Sequence, residues 1–238
     1  MEFVNIAGLK IANTTLEEAA DFVLSMAQGD KCGNIVVTPN AEIAAMALDD
    51  KDFCELLNSA ELAVPDGIGV VKAAKMLKTP VREKVAGVDL ATKVIEKSPE
   101  KNVSVYLLGG KPGVAKQAAE NLAERYPRVN ICGYSDGYFA ADDEAVERIN
   151  AASADVVMCC LGAPKQEYFM ANNREKIRAK VLMGVGGSVD VWAGTVKRAP
   201  KIFVKLGLEW LYRLIKQPSR IGRMMKIPKY LIKVRKYR

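Results

Sequence analysis

The sequence predicts an α/β protein built on a doubly wound, mostly parallel sheet. Strand-type and helix-type patterns alternate along most of the chain, and several strand patterns are continuous apolar runs. Such runs are typical of parallel sheets covered by helices on both faces. The chain has 238 residues, 50% of them hydrophobic, which is enough for a large core. We expect one α/β domain over residues 1–194, followed by a basic, amphipathic helical appendage over residues 195–238.

The first elements are a β-hairpin and a helix. Residues 3–6 and 9–11 read as two short strands that turn at Ala7-Gly8, which predicts the hairpin. Thr14 and Thr15 each precede a glutamate by three positions and form two overlapping capping boxes. These predict the start of a helix that extends to about Gln28.

Six strand patterns then alternate with helical patterns. The strands are predicted at Asn34–Thr38, Glu61–Val64, Val103–Leu108, Val129–Gly133, Asp155–Leu161 and Val181–Val185. The helices are predicted to begin near Asn40, Gly67, Val88, Pro112, Asp142, Lys165 and Ser188. This order indicates repeated strand–helix–strand units and therefore a parallel sheet.

The charge is divided unevenly between the two parts. Residues 195–238 contain 14 Lys and Arg and one acidic residue, a net charge of +13, whereas residues 1–194 carry −6. We expect one helix from Pro200 and a second from residue 217, interrupted at Pro228. Their basic and apolar residues interleave, as in helices that lie on anionic membranes. A nucleic-acid-binding arm is the alternative, but such an arm needs no bulky apolar stripe, so we expect no nucleic-acid partner.

Several classes of chemistry are excluded or disfavoured. The chain has no histidine, so it contains neither a Ser-His-Asp triad nor a histidine-ligated zinc. Its five cysteines lack C-x-x-C spacing and indicate buried free thiols in a reducing compartment. With no signal peptide and no apolar run of about 20 residues, we expect a cytoplasmic protein. The only D-x-D pair, Asp50-Lys51-Asp52, is remote from every predicted strand end, so we expect no metal site and no cofactor.

Asp66 is the carboxylate that the strand-end pattern singles out. In an open parallel sheet, ligands bind beyond the carboxyl ends of the strands, and Asp66 follows a buried strand there. It is either a turn or helix-cap residue or, in a protein without histidine, a general base. Lys165, Gln166 and Glu167 follow Pro164 at a helix start beyond another strand, and they are either site residues or three ordinary surface-helix residues.

Two glycine pairs also follow strands. Gly109-Gly110 and Gly186-Gly187 either only allow the chain to turn from strand to helix or present backbone N–H groups to a phosphate at a helix start. Tyr138 and Asp190 lie where a nucleotide base or ribose would bind, but each could equally be a packing aromatic or a helix cap.

Taken together, the strand-end motifs resemble the WecG/TagA/CpsF glycosyltransferase family from about residue 3 to about residue 225. The motifs, in chain order, are Thr38-Pro39-Asn40-Ala41-Glu42, Pro65-Asp66-Gly67, Gly87-Val88-Asp89-Leu90, Leu107-Leu108-Gly109-Gly110, residues 162–167 (GAPKQE), Gly184-Val185-Gly186-Gly187-Ser188, and Arg198-Ala199-Pro200 with residues 207–214 (GLEWLYRL).

The resemblance implies a Rossmann-like enzyme that works without a metal and inverts the sugar's configuration. It would move N-acetylmannosamine from UDP-N-acetylmannosamine to the 4-hydroxyl of N-acetylglucosamine on undecaprenyl diphosphate, a step of wall teichoic acid synthesis. A same-family transferase for another UDP-sugar, such as glucose or N-acetylmannosaminuronic acid, is the alternative.

The resemblance also implies residue roles and partners. Asp66 would be the general base, with Thr38, Asn40 and Gln166 lining the reaction centre. Three arginines of the appendage, Arg213, Arg220 and Arg223, would contact diphosphate. The enzyme would lie on the inner face of the bacterial cell membrane through residues 195–238, and self-association in the family implies a homo-oligomer.

Overall fold

The sheet of the protein has the predicted parallel arrangement. The computed structural model describes residues 1–200, 203, 209–216, 222 and 226–237. Its strands are β1 (Phe3–Ile6), β2 (Leu9–Ala12), β3 (Asn34–Val37), β4 (Leu62–Ala63), β5 (Ser104–Gly109), β6 (Asn130–Ser135), β7 (Val156–Cys160) and β8 (Val181–Gly184). β1 and β2 pair antiparallel, and the other six form one parallel sheet in the order β4-β3-β8-β7-β5-β6. The predicted α/β class and N-terminal hairpin are therefore confirmed.

In the domain, helices follow the strands at the predicted places; residues 201–202 and 217–221, where the two appendage helices are predicted to begin, lie outside the described residues. The helices are α1 (Leu16–Ala27), α2 (Ala41–Asp49), α3 (Lys51–Asn58), α4 (Ile68–Met76), α5 (Gly87–Lys97), α6 (Val114–Arg125), α7 (Asp142–Ala151), α8 (Lys165–Asn173), α9 (Ser188–Trp192), α10 (Glu209–Lys216) and α11 (Lys226–Val234). Short 3-10 turns cover Ser98–Lys101 and Arg235–Tyr237. Within the described residues, no helix is both long and apolar enough to cross a membrane.

Local chemistry accounts for the first elements. Ala7 and Gly8 have φ angles of 53° and 94°, the left-handed pair that a tight hairpin turn requires. At the start of α1, the Glu18 N–H donates to Thr15 Oγ1 (3.3 Å), and the Thr15 N–H donates to Glu18 Oε2 (3.0 Å). The capping box therefore forms at Thr15, the second of the two predicted positions.

The strands divide their side chains between two cores. Ile35 and Val37 of β3 pack on one face with α2, α3, α4, α7 and α8, whereas Val36 packs on the other with α1 and α5. This alternation follows from the two-residue repeat of a strand. Because helices cover both faces, the edge formed by the strands' carboxyl ends and the following loops is where a ligand can enter.

The end of the basic appendage packs on the acidic domain. Helix α11 lies against α2 and α4, where Tyr230 is 1% exposed and Val234 is fully buried. Lys233 also forms an ion pair with Asp49 at the end of α2. Pro228, predicted to interrupt this helix, lies instead in the first turn of α11, where a missing N–H removes no intrahelical hydrogen bond.

Candidate active site

A cavity of about 460 Å³ opens at the carboxyl edge of the sheet. Its walls come from the loops that follow four adjacent strands, β4, β3, β8 and β7. Of the residues that the sequence singles out, the cavity brings together Thr38, Asn40, Asp66, Gln166, Gly186, Gly187 and Asp190. This edge is the usual ligand site of open α/β sheets.

Backbone hydrogen bonds hold the Asp66 segment between two loops. The N–H of Asp66 donates to the carbonyl of Pro39 (3.1 Å), and the N–H of Val85 donates to the carbonyl of Pro65 (3.0 Å). Gly67, at φ 80°, turns the chain into α4, which has no side-chain cap. The N-cap residue of α4 is Gly67, and Asp66, which precedes it, lines the cavity.

Thr38 and Asn40 are fixed by the ends of β3 and α2. The Thr38 hydroxyl, 4% exposed, donates to the carbonyl of Gly184 (2.8 Å) and ties β3 to β8. The N–H groups of Glu42 and Ile43 donate to Asn40 Oδ1 (2.9 and 3.1 Å), so Asn40 caps α2. Because this cap uses the amide oxygen, Nδ2 is the Asn40 atom that can donate to a ligand.

Gln166 fastens α8 to the loop after β8. Its side chain is 2% exposed, and its Oε1 accepts a hydrogen bond from the N–H of Gly186 (3.0 Å). Its Nε2 donates to Oε1 of the neighbouring Glu167 (2.8 Å). Gly186 has φ 55°, a conformation that favours glycine. The amide therefore holds a left-handed turn against the cavity.

Four predicted site residues, Gly109, Gly110, Tyr138 and Lys165, do not line this cavity. Together with Gly137 they form a neighbouring surface, which we call the side shelf. The Gly137 N–H donates to the Gly110 carbonyl (2.9 Å), and Lys165 Nζ donates to the Gly137 carbonyl (3.1 Å). Tyr138 is 69% exposed.

The side shelf adjoins the cavity. A Cβ placed at Gly137 would lie 3.1 Å from Leu161 Cδ2, and Leu161 is a cavity residue. A Cβ placed at Gly110 would lie 3.1 Å from Val189 Cγ1 in α9, the helix that also carries Asp190. The two surfaces are therefore neighbours along one edge of the sheet.

The appendage contributes to the cavity wall through residues that sequence reasoning did not assign. Glu209 and Tyr212 of α10 and Ile227 of α11 line it. Lys84 Nζ lies 2.8 Å from Glu209 Oε2, with the two side chains 22% and 19% exposed. Of the three predicted arginines, Arg220 and Arg223 lie outside the described residues. Arg213 lies in α10, but its side chain is also outside the described part of the chain.

Several helix N-termini of the domain open on the cavity. The first turns of α2, α4, α5 and α8 contribute lining residues, and no side chain caps α4, α5 or α8. Helix N-termini favour anions through their N–H groups and dipoles. Lys84 and Lys197 also line the wall. A count of charged residues along the chain does not include these helix starts, and the same wall also carries Glu42, Asp66 and Asp190.

Arg198 adds a fixed cation near this edge. Its guanidinium forms a forked pair with Asp89 of α5, with N–O distances of 2.5 and 2.6 Å. The hydrogen bond to Asp89 raises the pKa of Arg198, and the charges of Glu209 and Asp66 act in the same direction, outweighing the opposing effect of burial. The first residues of the appendage are thus anchored to α5.

The cysteines and the D-x-D pair lie elsewhere. Cys32 is exposed, contrary to the expectation of five buried thiols, whereas Cys159 and Cys160 are buried. Burial raises the pKa of Cys160 to about 12. Asp50 caps α3 by accepting from the Phe53 N–H (3.0 Å). Among the described residues, no three Cys, Asp or Glu side chains cluster as metal ligands.

Comparisons with known proteins agree with the geometry. The model of the glycosyl transferase WecG/TagA/CpsF family matches residues 4–238. The N-acetylglucosaminyldiphosphoundecaprenol N-acetyl-beta-D-mannosaminyltransferase of Bacillus spizizenii is 39% identical over 86% of this chain and 80% of its own length. The proteins of the same name from Bacillus subtilis and Staphylococcus aureus MRSA252 are each 36% identical, over 99% and 98% of this chain and 92% of their own lengths.

Proposed function

The chain belongs to the WecG/TagA/CpsF glycosyltransferase family, and we propose that it transfers N-acetylmannosamine from a UDP-linked donor to N-acetylglucosamine on undecaprenyl diphosphate. Relatives that match nearly the whole chain carry the name of this activity. The observation in the structure that best supports it is Asp66 at a strand end, in a cavity ringed by helix N-termini. Such a cavity suits a base-assisted displacement of a diphosphate.

In the proposed reaction, Asp66 acts as the general base. Its carboxylate accepts the proton of the acceptor's 4-hydroxyl as the oxygen attacks C1 of the donor sugar. The bond between C1 and the β-phosphate oxygen breaks, and UDP leaves with that electron pair. The relatives' name specifies a β-linked product, so an α-linked donor reacts with inversion. One carboxylate is sufficient for a single in-line displacement.

The departing diphosphate needs positive partners. The N-termini of α4, α5 and α8 and the side chain of Lys197 line the cavity, and we propose that they meet its charge. Arg213, Arg220 and Arg223 are proposed to add bidentate contacts, for which the planar guanidinium is suited. Metal independence remains part of this proposal.

The nucleoside is proposed to extend over the side shelf. Asp190 lies at the junction between cavity and shelf, suited to a ribose hydroxyl, and Tyr138 offers an exposed ring for the base. Gly109 and Gly110 are proposed to offer backbone groups to the nucleotide, and Lys165 adds a cation at the rim. In this proposal the sugar lies at Asp66 and the nucleotide beyond β7.

Replacing Asp66 by asparagine tests the assignment of the base. Asp66→Asn keeps the side-chain volume but removes the basic carboxylate, so we expect turnover to fall by about 10²- to 10⁴-fold with UDP binding retained. Turnover is measured with UDP-N-acetylmannosamine and a short-chain lipid-diphosphate acceptor, and binding by calorimetry. Asp143→Asn, at a 70% exposed side chain on α7, is the matched control for loss of one charge. Near-normal turnover in Asp66→Asn would remove Asp66 from this role.

The donor and the membrane partner are tested separately. A panel of UDP-glucose, UDP-N-acetylmannosamine and its uronic acid, assayed on the same acceptor, identifies the sugar.

For the membrane surface, we expect co-sedimentation with vesicles containing phosphatidylglycerol that weakens as salt increases. Salt-sensitive binding to nucleic acid without vesicle binding would contradict this partner. Self-association remains a prediction that light scattering can measure.

A further inference from the structure

Glu167 is a buried carboxyl group next to the proposed reaction centre. It is fully inaccessible to solvent, one oxygen accepts from Gln166 Nε2 at 2.8 Å, and the other oxygen has no hydrogen-bond partner in the structure. Burial raises its pKa, against the opposing effect of hydrogen bonds from Gln166 and from its own backbone. The proposed mechanism gives this group no task.

The contact of Glu167 determines which way the Gln166 amide faces. Because Glu167 Oε1 accepts, Gln166 must present its nitrogen to Glu167 and its oxygen to the Gly186 N–H, 3.0 Å away. A reversed amide would put two oxygens against each other on one side and two donors on the other. The two hydrogen bonds therefore depend on each other, and both lie in the cavity wall.

Folding alone does not explain such a residue. A buried carboxyl with an unpartnered oxygen costs about 1–3 kcal/mol or more, and an apolar side chain of similar volume would avoid that cost. Sites that break a stability rule without a packing benefit are often functional. Apart from its own backbone, the partner that the described residues show for Glu167 is the Gln166 amide, which holds the Gly186 turn.

We propose that Glu167 is a positioning residue for sugar transfer: it fixes the Gln166 amide and thereby the Gly186-Gly187 turn against the donor. This inference rests on the proposed function, in which the donor binds in the cavity that this turn lines. Glu167 does not touch substrate and exchanges no proton in the reaction. Its effect reaches the reacting atoms through Gln166.

Two substitutions separate positioning from packing. Glu167→Met fills a similar volume without an acceptor, and we expect kcat to fall by about 10- to 100-fold, as for other residues that orient a site side chain, with acceptor KM little changed. Its melting temperature should equal or exceed that of the parent chain. Glu167→Gln keeps an acceptor oxygen and should retain most of the activity. A Met variant with unchanged kcat would overturn the proposal.

A double-mutant cycle tests whether Glu167 acts through Gln166. If it does, adding Glu167→Met to Gln166→Met should lower kcat no further than Gln166→Met alone. Independent losses that multiply would contradict this route. Asn173→Leu, at a buried position on the same helix, is the matched control: it should lower the melting temperature without changing kcat.

An activity-independent measurement keeps this inference separate from the proposed function. Hydrogen exchange of the Gly186 N–H should be slow in the parent chain and in Glu167→Gln, and at least tenfold faster in Glu167→Met. If Glu167→Met does not fold, exchange is compared between Gln166→Glu and the swapped pair Gln166→Glu/Glu167→Gln, which restores a donor opposite an acceptor. Failure of the swap to recover protection would overturn the inference, whatever sugar the enzyme transfers.

Discussion

Removing the aromatic ring of Tyr230 should undock the end of the appendage from the domain. The side chain is 1% exposed and packs with α11 against α2 and α4. Truncating a buried large aromatic residue to alanine costs about 3–5 kcal/mol, because transfer and cavity effects add. Tyr230→Ala should therefore destabilise the docked helix by an amount of that order.

The hydroxyl of Tyr230 should contribute nothing favourable. It is buried and has no hydrogen-bond partner among the described residues, and burial raises its pKa well above the ordinary value. Removing an unpartnered polar group relieves a desolvation cost. Tyr230→Phe should therefore leave stability unchanged or raise it by up to about 1 kcal/mol, which separates the ring's packing from its polar atom.

Trypsin provides a direct assay because α11 contains Lys229 and Lys233. A helix of nine residues can open locally without global unfolding. We expect faster cleavage after these lysines in Tyr230→Ala, together with weaker transfer, because Ile227 at the start of α11 lines the cavity.

Ile232→Ala, on the same helix but 63% exposed, is the control and should change stability by less than about 0.5 kcal/mol. Equal cleavage rates in Tyr230→Ala and Ile232→Ala would refute the docking of α11 on α2 and α4.

Two further predictions concern the domain. Burial would raise the pKa of Glu61, but hydrogen bonds from Lys31, the Ile35 N–H and Arg174 lower it below its ordinary value of 4.5. The ionised Glu61 therefore contributes to the free energy of unfolding in full above pH 4.5, and this contribution is lost as the pH falls through the folded pKa. In urea denaturation, the difference in unfolding free energy between the parent chain and Glu61→Gln should be constant at neutral pH and should shrink below about pH 4.5. A difference that widens at low pH would contradict this prediction. In native protein, N-ethylmaleimide should label exposed Cys32 and spare buried Cys159 and Cys160, and mass spectrometry showing Cys160 modified as fast as Cys32 would contradict their burial.

Much of the fold could be predicted from the sequence because its local signals agree. The continuous apolar runs of β7 and β8 indicated buried parallel strands, and the capping box at Thr15 marked the start of α1. Pro228 was misjudged, since a proline breaks a helix only beyond its first turn and the start of α11 was not evident. Strand order was also beyond the sequence pattern, because pairing of β3 with β8 joins residues about 146 positions apart.

The candidate site was predicted where its residues directly follow strands. Thr38, Asn40, Asp66 and Gln166 share one cavity because their strands and loops meet at one edge. Lys84 and Glu209 were missed because their role depends on a contact between residues 125 positions apart. Periodicity and spacing describe neighbours along the chain, so neither can reveal such a pair.

Net charge gives little guidance to the electrostatic field at this site. The domain's −6 is a sum over residues, many of which are paired locally, such as Glu18 with Arg82 and Glu17 with Lys93 and Lys97. Beyond about 10 Å, solvent and salt screen the field of the surface charges that are not paired. Helix N-termini act within their first turn, so several that open on one cavity can bind an anion in an acidic domain. The basic appendage therefore need not supply all the positive potential for diphosphate, and its remaining cations are available for the anionic membrane surface that we propose as its partner.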